Sequence, residues 1–312
     1  MGLPPQEAAP LRHRLEYAAL WAFAGVLRAL PRPLALEAGA AMGALGWWLR
    51  IRRRLVLSNL AQALPDLAPG DRRRLAARSA RNFGRVVAEF VRFSGRDRTR
   101  LSELVELRGV ERLRHALSAG KGAILVTAHL GSWALYVTAL ADAGVPSSLL
   151  VGRQHNAKVD AFILSIPGDA VSFISKGKSA PKEILRSLAD NRVVVMVADQ
   201  HFGPRGEMAP FLGRLAATLP LPAAIATRHG TPIFVMGGHR VTRGHHLADV
   251  HPLELPEGGD AAARRNAITA RCNAALGTLI LAHPDQYFWY HRRWRDAEPA
   301  AEEAPEADAL TR

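Results

Sequence analysis

Four short apolar runs, Ala123 to Thr127, Ser148 to Val151, Val193 to Val197 and Ile233 to Met236, recur through the second half of the chain with helix-length intervals between them. Runs this short suit strands covered on both faces, and the intervals leave room for crossover helices. The pattern predicts an α/β fold: a mostly parallel sheet flanked by helices. In an open sheet of this kind ligands sit beyond the carboxyl ends of the strands, so the residues that follow each run are where chemistry is expected.

Three of those positions hold reactive or charged side chains. His129 follows the first run, within Ala128-His129-Leu130-Gly131-Ser132-Trp133-Ala134, and a histidine there can act as a general base. Asp199 follows the run Val193 to Ala198, and Arg153 lies just past Val151, where a guanidinium can grip a phosphate with two hydrogen bonds. Lys176, Lys178 and Arg205 stand in glycine-containing loops and could add to an anion clamp.

The 312 residues carry a net charge of +13. Residues 296–312 hold six of the acidic side chains against Arg312 alone, so residues 1–295 have 40 basic and 22 acidic residues, a net +18. That balance favours an anionic partner: an anionic membrane, a phosphorylated or acidic carrier substrate, or nucleic acid. Low aromatic content and the lack of any nucleic-acid-binding signature argue against the last. The single cysteine, Cys272, excludes an internal disulfide framework and reads as a packed small residue. His239, His245, His246 and His251 match no familiar zinc spacing, so no metal site is expected, and without a Gly-x-Ser-x-Gly elbow a serine hydrolase is disfavoured.

Toward the N-terminus no signal peptide is evident. Two apolar runs, Leu15 to Leu27 and Leu34 to Leu49, flank Pro31-Arg32-Pro33, and the second ends in Trp47, Trp48 and the cluster Arg50, Arg52, Arg53, Arg54. Each is shorter than the roughly 20 residues that span a bilayer, whereas an aromatic pair followed by arginines suits a helix end among lipid headgroups. Residues 1–54 are therefore expected to form a helical membrane-associating anchor, monotopic or else a tilted span. Residues 55–295 follow as the α/β domain, with 296–312 as a disordered acidic tail.

Several motifs, taken in order, resemble the lipid A biosynthesis acyltransferases, a branch of the lysophospholipid acyltransferase superfamily. They are Ser58-Asn59-Leu60 through Pro65, Asn82-Phe83-Gly84-Arg85 leading to Glu89, His129-Leu130-Gly131-Ser132-Trp133, Arg153, Lys176-Gly177-Lys178, Ala198-Asp199-Gln200, Gly203-Pro204-Arg205, Pro210-Phe211-Leu212-Gly213, and Gln286 through Trp294. The resemblance implies a bacterial protein on the cytoplasmic face of the inner membrane, with no cofactor. It would move a fatty acyl group from an acyl carrier protein or acyl-CoA thioester to a hydroxyl of a phosphorylated glycolipid such as a lipid A precursor. His129 would be the base, Arg153, Lys176, Lys178, Gln200 and Arg205 would contact substrate, and Phe211 with Gly213 would line the acyl cleft.

In one respect the chain departs from that pattern. The family places Glu or Asp five residues after the histidine, and here Ala134 stands there. Asp199 is the best substitute, because it too follows a buried strand. Two further readings stay open: a lipid-binding scaffold of the same fold with impaired catalysis, and an acyltransferase for phosphatidylinositol mannosides or other glycolipids and lysolipids.

Overall fold

The computed structural model describes residues 21–295 apart from Arg96, 153–155, Pro167 and 242–243. The expected residue Arg153, the acidic tail and the start of the first apolar run lie outside the described residues.

After a helical stretch over residues 21–29, the described chain forms α1 (Arg32–Trp48), α2 (Arg53–Ala63) and α3 (Pro69–Phe93). Pro33 and Pro69 sit in the first turns of α1 and α3, where a missing N–H costs nothing. The short α4 (Leu101–Leu104) leads into β1 (Val105–Arg108) and α5 (Val110–Leu117). The βα units follow as β2 (Ala123–Thr127), α6 (Trp133–Asp142), β3 (Ser147–Val151), α7 (Ala157–Ser165), β4 (Val171–Ser175), α8 (Ala180–Ala189) and β5 (Val193–Val197). A hairpin of β6 (Glu207–Phe211) and β7 (Arg214–Thr218) leads on to α9 (Leu221–His229), β8 (Ile233–Arg240), β9 (His246–Pro252) and α10 (Ala261–Ala282).

The main sheet has the order β1-β9-β8-β2-β5-β3-β4. From β8 to β4 the pairing is parallel, and β9 runs antiparallel to β8. Strands β2 and β5 are central, and their fully buried Ile124, Leu125, Val194 and Val195 face helices on both sides. The expected mostly parallel, helix-flanked sheet is thus the observed one. Cys272 is buried in α10, which pushes its thiol up to about 12.

The N-terminal anchor needs correction. No described helix is long and apolar enough to cross a membrane, so the tilted span is not found. Helix α1 instead lies against α3 at a crossing of three glycines: a Cβ on Gly39 would stand 2.4 Å from Gly84 O, and one on Gly43 would stand 2.0 Å from Ala80 O. Backbones this close need positions without side chains, which explains the glycine spacing within an otherwise apolar helix. The far face of α1 and the turn after it leave Leu34, Leu45, Trp48, Leu49 and Ile51 exposed.

Candidate active site

Strands β2 and β5 are neighbours in register, Thr127 opposite Val197, so the residues just past them emerge side by side. His129 Nδ1 lies 2.8 Å from Asp199 Oδ1, and the His129 backbone N–H donates to Asp199 Oδ2 at 3.0 Å. Burial would raise the Asp199 carboxyl, but His129, through its charge and both hydrogen bonds, and Arg293 hold it below its ordinary value. An ionised carboxylate only accepts, so Nδ1 carries a hydrogen, and in the neutral imidazole the lone pair is then on Nε2, at the cavity.

That cavity, of about 410 Å³, is lined by Phe83, Val86, His129, Trp133, Gln200 and Phe288 among others. Its walls are mostly aromatic: Trp133 meets the imidazole edge-on at 5.4 Å, Phe288 lies at 6.0 Å, and Phe83 packs on Phe288 at 4.9 Å. Beside it lies a polar cavity of about 620 Å³ lined by Arg32, Glu37, Asn82, Arg85, Arg240 and Asp285, and Gln286 borders both.

The chain after α10 closes the site. Phe288 N–H donates to His129 O and Gly131 N–H to Gln286 O, both at 3.0 Å, and Leu130 bridges to Tyr287 in the manner of a strand. Arg293 is buried and donates to Gln200 O at 3.1 Å and Ala217 O at 2.6 Å, which fixes the loop after Asp199. His291 Nε2 accepts from His201 N–H at 2.9 Å, and burial pushes its imidazole down to about 4, so it stays a neutral acceptor.

Among the residues expected at the site, His129, Asp199 and Gln200 come together, with Gln200 Nε2 at 3.5 Å from His129 Nε2. Ala134 sits in the first turn of α6 and brings no carboxylate. Lys176 follows β4 at the same sheet edge, close enough for the Asp199 charge to act on it, and Lys178 is an exposed turn residue two positions on. Arg205 lies in an exposed turn before β6. Phe211 and Gly213 do not line the His129 cavity. Phe211 is 1% exposed, under the Arg293 guanidinium at 4.6 Å, so it is core. Gly213, at φ 81, and Leu212, at φ 49, form the two-residue β6–β7 turn, a tip that requires positive φ.

A second buried cluster was not anticipated. Glu89 of α3 is 0% exposed and accepts two bonds from Arg240 (2.9 and 2.6 Å) and one from His246 Nε2 (2.9 Å), and Ser132 Oγ also donates to it. Burial opposes its ionisation, but His246 and Arg240 hold the carboxyl well below the usual range. His239 stacks on His283 with ring centres 3.6 Å apart, so the four neighbouring histidines divide between different contacts. Among the described residues no three groups gather as a metal site.

The sequence model of the family described as bacterial lipid A biosynthesis acyltransferase matches residues 6–296. The phosphatidylinositol mannoside acyltransferase of Mycolicibacterium smegmatis (strain ATCC 700084 / mc(2)155) is 26% identical over 290 residues, covering 90% of each chain. From Escherichia coli (strain K12), the lipid A biosynthesis palmitoleoyltransferase is 22% identical over 85% of this chain and 86% of its own length. The lipid A biosynthesis lauroyltransferase of the same strain is 26% identical over 85% and 87%. Since the family match runs through every element of the described fold, the chain belongs to the bacterial lipid A biosynthesis acyltransferases.

Proposed function

We propose that this acyltransferase moves a fatty acyl group from a thioester of acyl carrier protein or CoA to a hydroxyl of a phosphorylated glycolipid, with His129 as general base and Asp199 as the acid that orients it. The observation that carries the reading is the His129–Asp199 pair opening onto an aromatic cavity. His129 Nε2 takes the acceptor proton as the hydroxyl oxygen bonds to the thioester carbonyl carbon. The C–S bond then breaks, and the leaving thiolate receives that proton from His129. The apolar walls suit the acyl chain, and the adjoining polar cavity suits the acceptor's head. A lipid A precursor and a phosphatidylinositol mannoside are the two acceptor classes that the relatives' names support.

The Asp199 carboxylate on His129 Nδ1 supports the catalytic reading over a scaffold that lacks an acid at position 134. Restoring it should do little: in Ala134→Glu the only imidazole N–H aimed at an acid is already held by Asp199, and a second carboxylate nearby would be repelled. Transfer from palmitoyl-CoA or a palmitoyl carrier protein to either acceptor is therefore expected to change by no more than about threefold. A rise of orders of magnitude would remove Asp199 from its role. No transfer by the parent from either donor to either acceptor would overturn the reading as a whole.

The exposed Leu45, Trp48, Leu49 and Ile51, next to Arg50, Arg52, Arg53 and Arg54, further support peripheral contact with an anionic membrane. Arg53 already lies over the Trp47 ring at 4.7 Å, an arrangement of cation and indole suited to the headgroup layer. In flotation with anionic liposomes, the parent should rise with the lipid, and Leu45→Glu/Trp48→Glu should stay at the bottom. Equal flotation of the two would exclude this face.

A further inference from the structure

We infer that Ser132, Tyr136, His246 and Glu89 form a closed hydrogen-bonded ring that fixes the backbone beside His129, so that Tyr136 and Glu89 are positioning residues for acyl transfer. The inference rests on the proposed role of His129 as the base.

The ring begins and ends at Ser132, three residues after His129. Its backbone N–H donates to Tyr136 Oη at 3.0 Å, and its own hydroxyl donates to Glu89. Tyr136 Oη is 3.0 Å from His246 Nδ1, and His246 Nε2 is 2.9 Å from Glu89 Oε1. All four residues are buried. Ionised Glu89 only accepts, so Nε2 of His246 carries a hydrogen, and in the neutral ring Nδ1 is then an acceptor. The tyrosine hydroxyl must then donate to Nδ1, which leaves its oxygen to accept from Ser132. No donor in the ring lacks an acceptor.

Two glycines make room for the phenol. A Cβ on Gly131, which is at φ 53, would stand 2.5 Å from Tyr136 Oη, and one on Gly238 would stand 2.6 Å from Tyr136 Cε2. Apolar packing alone would be met by phenylalanine, so the hydroxyl serves the ring. Ser132 precedes α6 with φ −92 and ψ 56, and no helical hydrogen bond holds its own N–H. On the opposite side, the bonds from Gly131 to Gln286 and from Phe288 to His129 hold the same segment. Asp199 orients the imidazole and the ring locks the backbone, a division of labour that needs no acid at position 134.

The test is NMR of the full chain labelled with ¹⁵N-histidine, paired with transfer assays using palmitoyl-CoA as donor. His246 should resonate as a neutral ring protonated at Nε2, and His129 should show a protected Nδ1–H bonded to Asp199. In Tyr136→Phe the His246 Nδ1 signal should move to the value of an unbonded neutral nitrogen. The His129 Nδ1–H should exchange about tenfold faster, and kcat should fall about tenfold, the equivalent of one lost hydrogen bond, with KM nearly constant. Ser132→Ala should repeat the His129 effect, and it remains the test if Tyr136→Phe fails to fold. Ser132→Thr, which keeps hydroxyl and N–H, should restore the parent's values.

A His246 ring protonated at Nδ1 would overturn the proposal. So would an unchanged His129 proton and kcat in folded Tyr136→Phe and Ser132→Ala. If the parent shows both ring signatures and no transfer, the reading of the reaction fails and the ring stands.

Discussion

Replacing Asp199 with asparagine should lower the rate of acyl transfer by about four orders of magnitude, the scale set by losing the carboxylate of a comparable triad. The geometry explains why so small a change costs so much. Asp199 accepts two hydrogen bonds from one residue, from the backbone N–H and from Nδ1–H of His129. An asparagine has one acceptor and one donor group, so its amide must turn its NH₂ toward one of those N–H groups or turn the imidazole into the other tautomer. In that tautomer Nδ1 accepts and Nε2 carries the hydrogen, which leaves the cavity-facing nitrogen without the lone pair that a base requires. Nor does the variant have a charge to stabilise the imidazolium formed in the transfer step. The loss should appear in kcat at saturating donor and acceptor, with thermal stability close to the parent's. A loss smaller than about tenfold would show that the acid lies elsewhere.

The second large effect is on stability. Glu89→Gln should destabilise the fold by about 3–5 kcal/mol, because it leaves the Arg240 guanidinium buried without its counter-charge. Side-chain exposures of 8% for Arg240 and 0% for Glu89 decide the size of this effect, since the Glu89 position itself is out of contact with water. The glutamine amide also directs a donor at Ser132, His246 or Arg240, all of which donate to Glu89 in the parent. For a domain of this size the loss corresponds to a fall in Tm of about 5–8 °C. Arg74 with Asp71 supplies the contrast: at 69% and 51% exposure that pair is screened, and Asp71→Ala should shift stability by less than about 1 kcal/mol. Urea titration of both variants beside the parent measures the difference, and equal midpoints for all three would show that the Glu89 cluster is energetically inert.

The parts of the fold that could be read from the sequence are those whose cause is local. β2 and β5 are unbroken apolar runs because both faces are covered, so their observed limits coincide with the runs themselves, and His129 and Asp199 follow at their ends. By contrast β1 (Val-Glu-Leu-Arg) and β9 mix charged and apolar residues at the margin of the sheet, and no run marks them. Glu89 was visible only as part of a motif, although one feature hinted at its role: it is the lone acid in Val86 to Phe93, a stretch otherwise apolar but for Arg92. Its partners are 43 to 157 residues away, a pairing that only the folded chain defines. Phe211 was open to two readings for the same reason: an aromatic beside a glycine turn suits either a cleft or the core, and its ring is buried under Arg293, 82 positions on.

The segment from Gln286 to Arg293 follows α10 and every strand of the main sheet in chain order, yet it supplies Phe288 to the cavity wall and the clamp on Gln200. A chain cut before Gln286 would therefore keep His129 and Asp199 but lose the Phe288 ring 6.0 Å from the imidazole and the Arg293 bond to Gln200 O.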